Sequence, residues 1–331
     1  MKNKFLISAV IFCCMVFSFQ ACKKDRTVVY ITPSNNTPNT PVVNFTVSIL
    51  SNFKKSAPVL QRFTINAATG QWVIGAKGCR FYFPANSLLN MGNIAVTGTA
   101  DIELIEYMNK ADMLFSGVTV GSGNQLLESG GMFYLIAKQN GVELKLKDNC
   151  GFQIKIPQTN NTPDPMDFWI GENNVDDSLN KVDWVKKDTV QIVPKQDTAH
   201  FSSYNIQFNY FKFGYCNIDR EWSKFKTLIS KFRIKMPANC NDTNSTALLL
   251  FKNYNCCAWC SWLTAEKAIA THYQLPLGET MKVLVYKKTG PKEDDLEYAI
   301  KEIVLTDDTQ VDFTSLVKCT NLELEGFIKA L

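Results

Sequence analysis

Residues 99–107 read TADIELIEY, a stretch in which Ala100, Ile102 and Leu104 alternate with Asp101 and Glu103. Alternation at every second position places all the apolar side chains on one face of a β-strand. The same pattern recurs in residues 142–146, 152–156 and 232–236. Turn sequences separate these runs, among them Asn-Gly at 140–141 and Thr-Gly-Pro at 289–291. The chain is therefore predicted to be mostly β, with antiparallel strands and few short helices.

The period-two runs also predict a core, because their apolar members must face inward. The residues that we expect to be buried are Phe81, Phe83, Ile102, Leu104, Leu144, Ile154 and Phe208.

Helical signals are few. Thr320 and Glu323 have the spacing of a capping box before a C-terminal helix whose apolar stripe includes Leu322, and residues 264–271 favour a second short helix. Residues 221–232 are ambiguous between helix and strand.

Composition argues against several classes of function. The 331-residue chain has a net charge of +4, which is too small to favour nucleic-acid binding. Its two histidines, His200 and His272, exclude an HExxH zinc site and are the two bases available to a serine hydrolase. No phosphate-binding or dinucleotide-binding loop occurs. We therefore expect no cofactor, no metal site and no enzymatic action on an external substrate.

The first residues have the parts of a secretory signal. Lys2 and Lys4 form a basic start, residues 5–19 are largely apolar, and Ala21 precedes Cys22. The apolar run is too short for a confident membrane-spanning helix. The segment resembles a bacterial lipoprotein signal, which implies removal of residues 1–21 and acylation of the Cys22 thiol. We expect residues 22–44, rich in Pro, Asn and Thr, to form an extended tether between the membrane lipid and the folded part.

We divide the rest of the chain into residues 45–222 and 223–331, because one alternating series ends near this point and another begins at Phe232, and each part carries a further resemblance. The string GCRFYFPAN at 78–86 resembles the opening of the ZU module of zonula-occludens proteins and netrin receptors, which implies a β-sandwich. The strings KADM at 110–113 and LLESGGM at 126–132 resemble those of lipoproteins of the Bacteroidetes group. In the second part, PLG at 276–278 before a strand is similar to prealbumin-like sandwiches. The resemblances imply two antiparallel β-sandwich domains, the second with a C-terminal helix.

His200, Phe201 and Ser202 form a tripeptide that resembles a self-cleaving sequence of some ZU-containing proteins. That resemblance implies attack by the Ser202 hydroxyl on the Phe201 carbonyl, with His200 as base and cleavage between Phe201 and Ser202. Such chemistry needs a strained peptide in a tight turn. A straight strand with Phe201 inward is the favoured alternative.

Eight cysteines follow Cys22, and they permit disulfides or buried free thiols in equal measure. Cys257 and Cys260 have the spacing of a redox pair, but no βαβ pattern surrounds them. A zinc site that combines this pair with Cys256 and Cys319 lacks a second CxxC motif.

Acidic and aromatic clusters are given structural interpretations. Glu103, Glu106 and Asp112 could be paired acids or calcium ligands, and solvated strand faces are the simpler interpretation. The dense aromatic residues favour a strand buried between sheets over a platform for stacking sugars. They are Tyr204, Phe208, Tyr210, Phe211, Phe213 and Tyr215.

Together these patterns predict a lipid-anchored protein of the cell envelope, which we expect in the outer membrane with its face undecided. Its sandwich modules would bind an envelope protein or a glycan without catalysis. An aromatic groove on a sheet face would favour the glycan. The rival function is a module that cleaves itself between Phe201 and Ser202.

Overall fold

The computed structural model describes residues 53–118, 121–122, 124–158, 166–176, 181–187, 192–196, 202–224, 226–271 and 273–330. The predicted signal, the tether and Cys22 lie outside these residues. His200, Phe201 and His272 lie outside them as well.

The chain is mostly β, as the alternating pattern predicts. The strands up to residue 221 are β1 (Gln61–Asn66), β2 (Gln71–Ile74), β3 (Arg80–Phe83), β4 (Leu88–Leu89), β5 (Thr99–Tyr107), β6 (Gly121–Ser122), β7 (Gln125–Gln139), β8 (Val142–Glu143), β9 (Lys145–Leu146), β10 (Phe152–Pro157), β11 (Asp167–Asp176), β12 (Lys181–Lys186), β13 (Ile192–Gln196), β14 (Ser202–Phe208) and β15 (Gly214–Glu221).

Two antiparallel sheets form the first half of the structure. The large sheet has the order β1-β5-β7-β15-β11-β12, and the small sheet has the order β13-β14-β10-β3-β2. Inward residues of both sheets share one hydrophobic cluster, which makes the pair a β-sandwich. All seven predicted core residues are buried, so the period-two prediction is confirmed.

The second half contains two larger sheets and the two-stranded pair β16-β22, around another hydrophobic cluster. The orders of the larger sheets are β19-β18-β23-β24-β26 and β20-β21-β17-β25, and β17 pairs with β25 in parallel. The strands are β16 (Leu228–Ile229), β17 (Phe232–Lys235), β18 (Ser245–Phe251), β19 (Cys257–Trp259), β20 (Ser261–Leu263), β21 (Ala268–Ala270), β22 (Leu275–Pro276), β23 (Thr280–Lys288), β24 (Leu296–Val304), β25 (Thr309–Asp312) and β26 (Val317–Cys319).

The helices are short. Helix α1 spans Lys110–Ser116 and helix α2 spans Asn321–Lys329, with 3-10 turns at Lys54–Ser56, Trp222–Lys224 and Thr264–Glu266. The predicted capping box of α2 is confirmed, because the Thr320 side chain accepts from the Glu323 N–H and the Glu323 carboxylate accepts from the Thr320 N–H. Leu322 is 77% exposed, so its place in the apolar stripe was wrong.

The helix predicted for residues 264–271 is also wrong beyond its first turn. The Lys267 backbone is left-handed at φ +50°, which ends the 3-10 turn, and β21 follows directly. Residues 221–232 contain the end of β15, a 3-10 turn and β16.

The hydrophobic cluster of the second half extends into the first. Tyr107, Met132 and Trp169, on the large-sheet face that points away from the sandwich, belong to the same cluster as Ile234 and Leu284. The large sheet is therefore covered on both faces at this end. A domain boundary between residues 222 and 223 stays a prediction.

Glu106 joins the two sheets of the sandwich. It continues the inward series of β5 at a position where the alternation calls for an apolar residue, and it is fully buried. Its carboxylate accepts from the backbone N–H groups of Lys77 and Cys79 and from the Gln61 side chain, each at 2.9 Å. Lys77 and Cys79 lie in the turn between β2 and β3, so one carboxylate of the large sheet holds a turn of the small sheet.

Replacement of Glu106 by Ala should lower the free energy of unfolding by about 3 kcal/mol, because buried N–H groups would lose a charged acceptor. Urea unfolding measures the change. Glu103→Ala, three residues earlier on the same strand, is the matched control. It removes only partly exposed ion pairs with Arg62 and Lys138, and the expected cost is about 1 kcal/mol or less. Equal effects of the two substitutions would contradict the central role of Glu106.

Candidate binding site on the outer face of the small sheet

The predicted self-cleavage site is described only in part. Ser202 is the first residue of β14, and its backbone pairs with Gln196 of β13. The Ser202 side chain, His200 and Phe201 lie outside the described residues, so the position of Phe201 stays a prediction.

The three predicted carboxylates do not form an acid pair. Glu106 is buried against backbone N–H groups, which corrects its assignment to a solvated face. Glu103 is bound to Lys138 at 2.8 Å, and these charge-assisted contacts lower the pKa of its carboxyl. Asp112 completes a capping box with Asn109 at the start of α1. Each carboxylate therefore has a structural partner.

All eight described cysteines are free thiols. Burial raises the pKa of Cys257 to about 12, and it raises the pKa of Cys260 as well. Because the thiolate is the reactive form, this pair is not poised for redox chemistry. Among the described residues, no group of His, Cys, Asp and Glu is arranged to hold a metal ion.

A cleft of about 390 Å³ with several charged side chains lies where the sandwich meets residues 252–255 of the second half. Its charges are already engaged within the protein. Glu128 binds Arg220 at 2.6 Å, Lys77 forms an ion pair with Asp112, and the Lys110 ammonium donates to the Phe251 carbonyl. A ligand would have to break these contacts, so the cleft is a weak candidate site.

Behind the cleft lies a chain of buried polar side chains. The Ser129 hydroxyl donates to Asn217 at 3.0 Å, and the Asn217 amide donates to Asp219 at 2.5 Å. Burial raises the pKa of the Asp219 carboxyl well above its ordinary value. The atom that accepts the hydrogen bond from the Ser129 hydroxyl is an amide oxygen, which is not a general base. These hydrogen-bonded side chains therefore stabilise the sheet, and they do not activate Ser129 as a nucleophile.

The aromatic residues near β14 are mainly structural. Tyr204, Phe208 and Phe211 are buried in the sandwich core, which confirms the predicted burial for these three. Tyr210 is 67% exposed, in the loop after β14.

An exposed aromatic pair lies instead on the outer face of the small sheet, at its β2 edge. Trp72 of β2 is 39% exposed and faces Tyr82 of β3 directly across the strand pair. Their ring centroids are 5.2 Å apart. Ile74, the next outward residue of β2, is 55% exposed. We therefore take this exposed group as a candidate interaction surface.

Polar side chains continue the aromatic pair across the sheet. Tyr82 is opposite Gln153 of β10, and Gln153 is opposite Gln207 of β14. Neither glutamine side chain hydrogen-bonds to another residue in the described ranges. Four adjacent strands span about 14 Å, since neighbouring strands lie roughly 4.8 Å apart. The aromatic rings of Trp72 and Tyr82 and the side-chain amides of Gln153 and Gln207 therefore lie in one line across the sheet.

A cation lies beside this row. The Lys155 Nζ atom is 5.0 Å from the centroid of the Trp72 ring, the geometry of a cation–π contact. Lys155 pairs across the strands with Arg80, a second basic residue. We call the surface formed by Trp72, Ile74, Arg80, Tyr82, Gln153, Lys155 and Gln207 the aromatic face.

Sequence reasoning missed the aromatic face. In β2 the order Gln71-Trp72-Val73-Ile74 places large apolar residues at consecutive positions 72, 73 and 74. A strand with one buried face needs only alternate apolar residues, and Val73 alone fills that role here. The surplus at Trp72 and Ile74 was the signal available.

Comparison of the chain with protein-family models finds no match, and comparison with curated proteins finds none. Neither helix in the part of the chain that the structure describes has the length and apolar composition for crossing a bilayer. Function has to be inferred from exposure, contacts and charge.

Proposed function

We propose that this chain is a lipid-anchored protein of the cell envelope whose sandwich binds a glycan on the aromatic face, without catalysis. The observation that carries the proposal is the exposed pair of Trp72 and Tyr82, in line with the amides of Gln153 and Gln207. Sugar rings present apolar C–H groups on their faces and hydroxyls on their rims. Rings followed by free amides match both parts of such a ligand.

The size of the surface favours a glycan over a protein partner. A stable protein interface buries about 800 Å² on each side and has a sizeable apolar centre. The exposed apolar part of the aromatic face consists of Trp72, Ile74 and the partly exposed Tyr82, with polar side chains next to them. A narrow row of this kind suits a chain of a few sugar units.

A role without catalysis agrees with the state of the titratable groups. Glu106 is held by backbone N–H groups, burial raises the pKa of Asp219, and burial keeps Cys257 protonated. No base or nucleophile among these groups is poised toward solvent. The anchoring part of the proposal rests on the basic start, the apolar run and Ala21-Cys22.

Trp72→Ala should weaken glycan binding about tenfold, since loss of one stacking partner costs roughly 1.4 kcal/mol. Calorimetric titration with the oligosaccharides that bind best in an array screen measures the change. Tyr210→Ala, which removes an exposed aromatic ring outside the aromatic face, is the matched control and should leave affinity unchanged. Unaltered affinity in a folded Trp72→Ala protein, or no glycan bound by the wild type, would refute the proposed site.

Cys22→Ala should leave an uncleaved precursor and abolish incorporation of labelled palmitate. Two acyl chains on one cysteine suffice for stable anchoring, whereas one chain gives only marginal binding. Metabolic labelling followed by membrane fractionation tests this. Undiminished labelling of the variant would exclude Cys22 as the lipidated residue.

The proposal also predicts one intact polypeptide. Mass spectrometry of the purified wild type should give a single species whose mass agrees with an unbroken Phe201–Ser202 bond. Ser202→Ala should give the same pattern, apart from the lost oxygen. Two fragments that occur in the wild type and vanish in Ser202→Ala would establish the self-cleaving alternative.

A further inference from the structure

We infer that the glycan recognised by the aromatic face is acidic, with a carboxylate for which Lys155 is the counter-ion. The inference rests on the proposed function and specifies its ligand class. It begins with the charge of the surface. The strands β2, β3, β10 and β14 contain two basic residues, Arg80 and Lys155, and no Asp or Glu.

The position of Lys155 makes this charge part of the site. Its Nζ atom lies over the Trp72 ring, the surface on which a sugar would stack. Among the described residues the structure gives the ammonium no carboxylate partner. A ligand that stacks on this face of Trp72 must first move the ammonium aside.

The free energy of moving the Lys155 ammonium away from Trp72 depends on whether the ligand gives the ammonium a new partner. Any ligand that stacks on this face breaks the cation–π contact between Lys155 and Trp72. A uronic acid ring replaces the lost contact with an ion pair, because its carboxylate can accept a hydrogen bond from the displaced ammonium. A neutral sugar loses the contact and gains no charged partner. Lys155 therefore discriminates against neutral rings as well as attracting acidic ones.

A matched pair of probes isolates the charge. Tetragalacturonate and its fully methyl-esterified form share the same sugar rings, and only the first is anionic. Wild-type protein should bind the acid about fivefold more tightly than the ester, the ratio that corresponds to an exposed ion pair of about 1 kcal/mol. The preference should shrink as salt is raised from 0.02 to about 0.5 M, because exposed charges are screened.

Lys155→Met keeps the aliphatic stem and removes the charge. In this variant the acid should bind about fivefold more weakly, whereas the ester should bind as well as to wild type or more tightly, because the Trp72 ring is no longer covered by a cation. Lys318→Met, on strand β26 outside the aromatic face, is the control and should change neither affinity. A general loss of structure in Lys155→Met would weaken both ligands together, and thermal unfolding detects it.

The outcomes separate this inference from the proposed function. Equal binding of acid and ester, or a preference for acid that survives in Lys155→Met, overturns the role of Lys155 while glycan binding stands. The role of Lys155 is also overturned if neutral oligosaccharides bind in a Trp72-dependent way while neither tetragalacturonate nor its ester binds. Failure of every glycan to bind overturns both. Weaker binding of the acid to Lys155→Met, with binding of the ester unchanged or tighter, establishes the acidic ligand class.

Discussion

The carboxylate of Glu106 is the contact on which the sandwich depends most. It sits at an inward position of β5 and accepts hydrogen bonds from two backbone N–H groups in a turn of the other sheet and from the Gln61 side chain of the neighbouring strand β1. The approach is possible because residue 75 is glycine, since a Cβ atom there would lie 2.4 Å from the carboxylate. A buried charge that loses its donors costs several kcal/mol. The relative position of the two sheets is therefore set by polar geometry at this end and by apolar packing along the rest of the interface.

The strings quoted for the resemblances have architectural roles in the described structure. GCRFYFPAN begins with Gly78 and Cys79, and the Cys79 N–H is one of the donors to Glu106, whereas Asp112 of KADM completes the capping box of α1. In LLESGGM the register of β7 shifts after Ser129, where Gly130 forms a bulge opposite β15. Gly131 follows with φ +133°, a backbone conformation suited to glycine. These residues serve the architecture, so likeness in them carries information about fold and little about ligand.

Features that repeat along the sequence could be predicted, whereas features that depend on tertiary contacts could not. Period-two runs identified Phe81, Ile102, Ile154 and the other core residues, because one buried sheet face imposes that period directly. Helix α1 escaped because its seven residues are too few for a periodic stripe, although Asn109 and Asp112 have capping-box spacing. The burial of Glu106 could not be foreseen, since its hydrogen-bond donors come from residues 61, 77 and 79, which are distant along the chain. Trp72 was overlooked although it breaks the alternation, since Trp72, Val73 and Ile74 are consecutive large apolar residues and one sheet face can bury only every second one.

The location of the candidate site follows from how the sheets are covered. The outward face of the large sheet is buried at one end against the second half of the protein, through Tyr107, Met132 and Trp169. At its other end, Glu103 is paired with Arg62 and Lys138. A ligand there would compete with packing or with ion pairs already made. On the small sheet, the outward aromatic face has Trp72 in contact with Tyr82 and with the ammonium of Lys155, and within the described ranges the nearby amides of Gln153 and Gln207 make no side-chain hydrogen bond. The cation–π contact is worth about 1 kcal/mol or less, and a ligand with a carboxylate would replace it with an ion pair. The second half of the protein packs on the large sheet and Trp72 stays exposed on the small one, which is why we place the proposed site there.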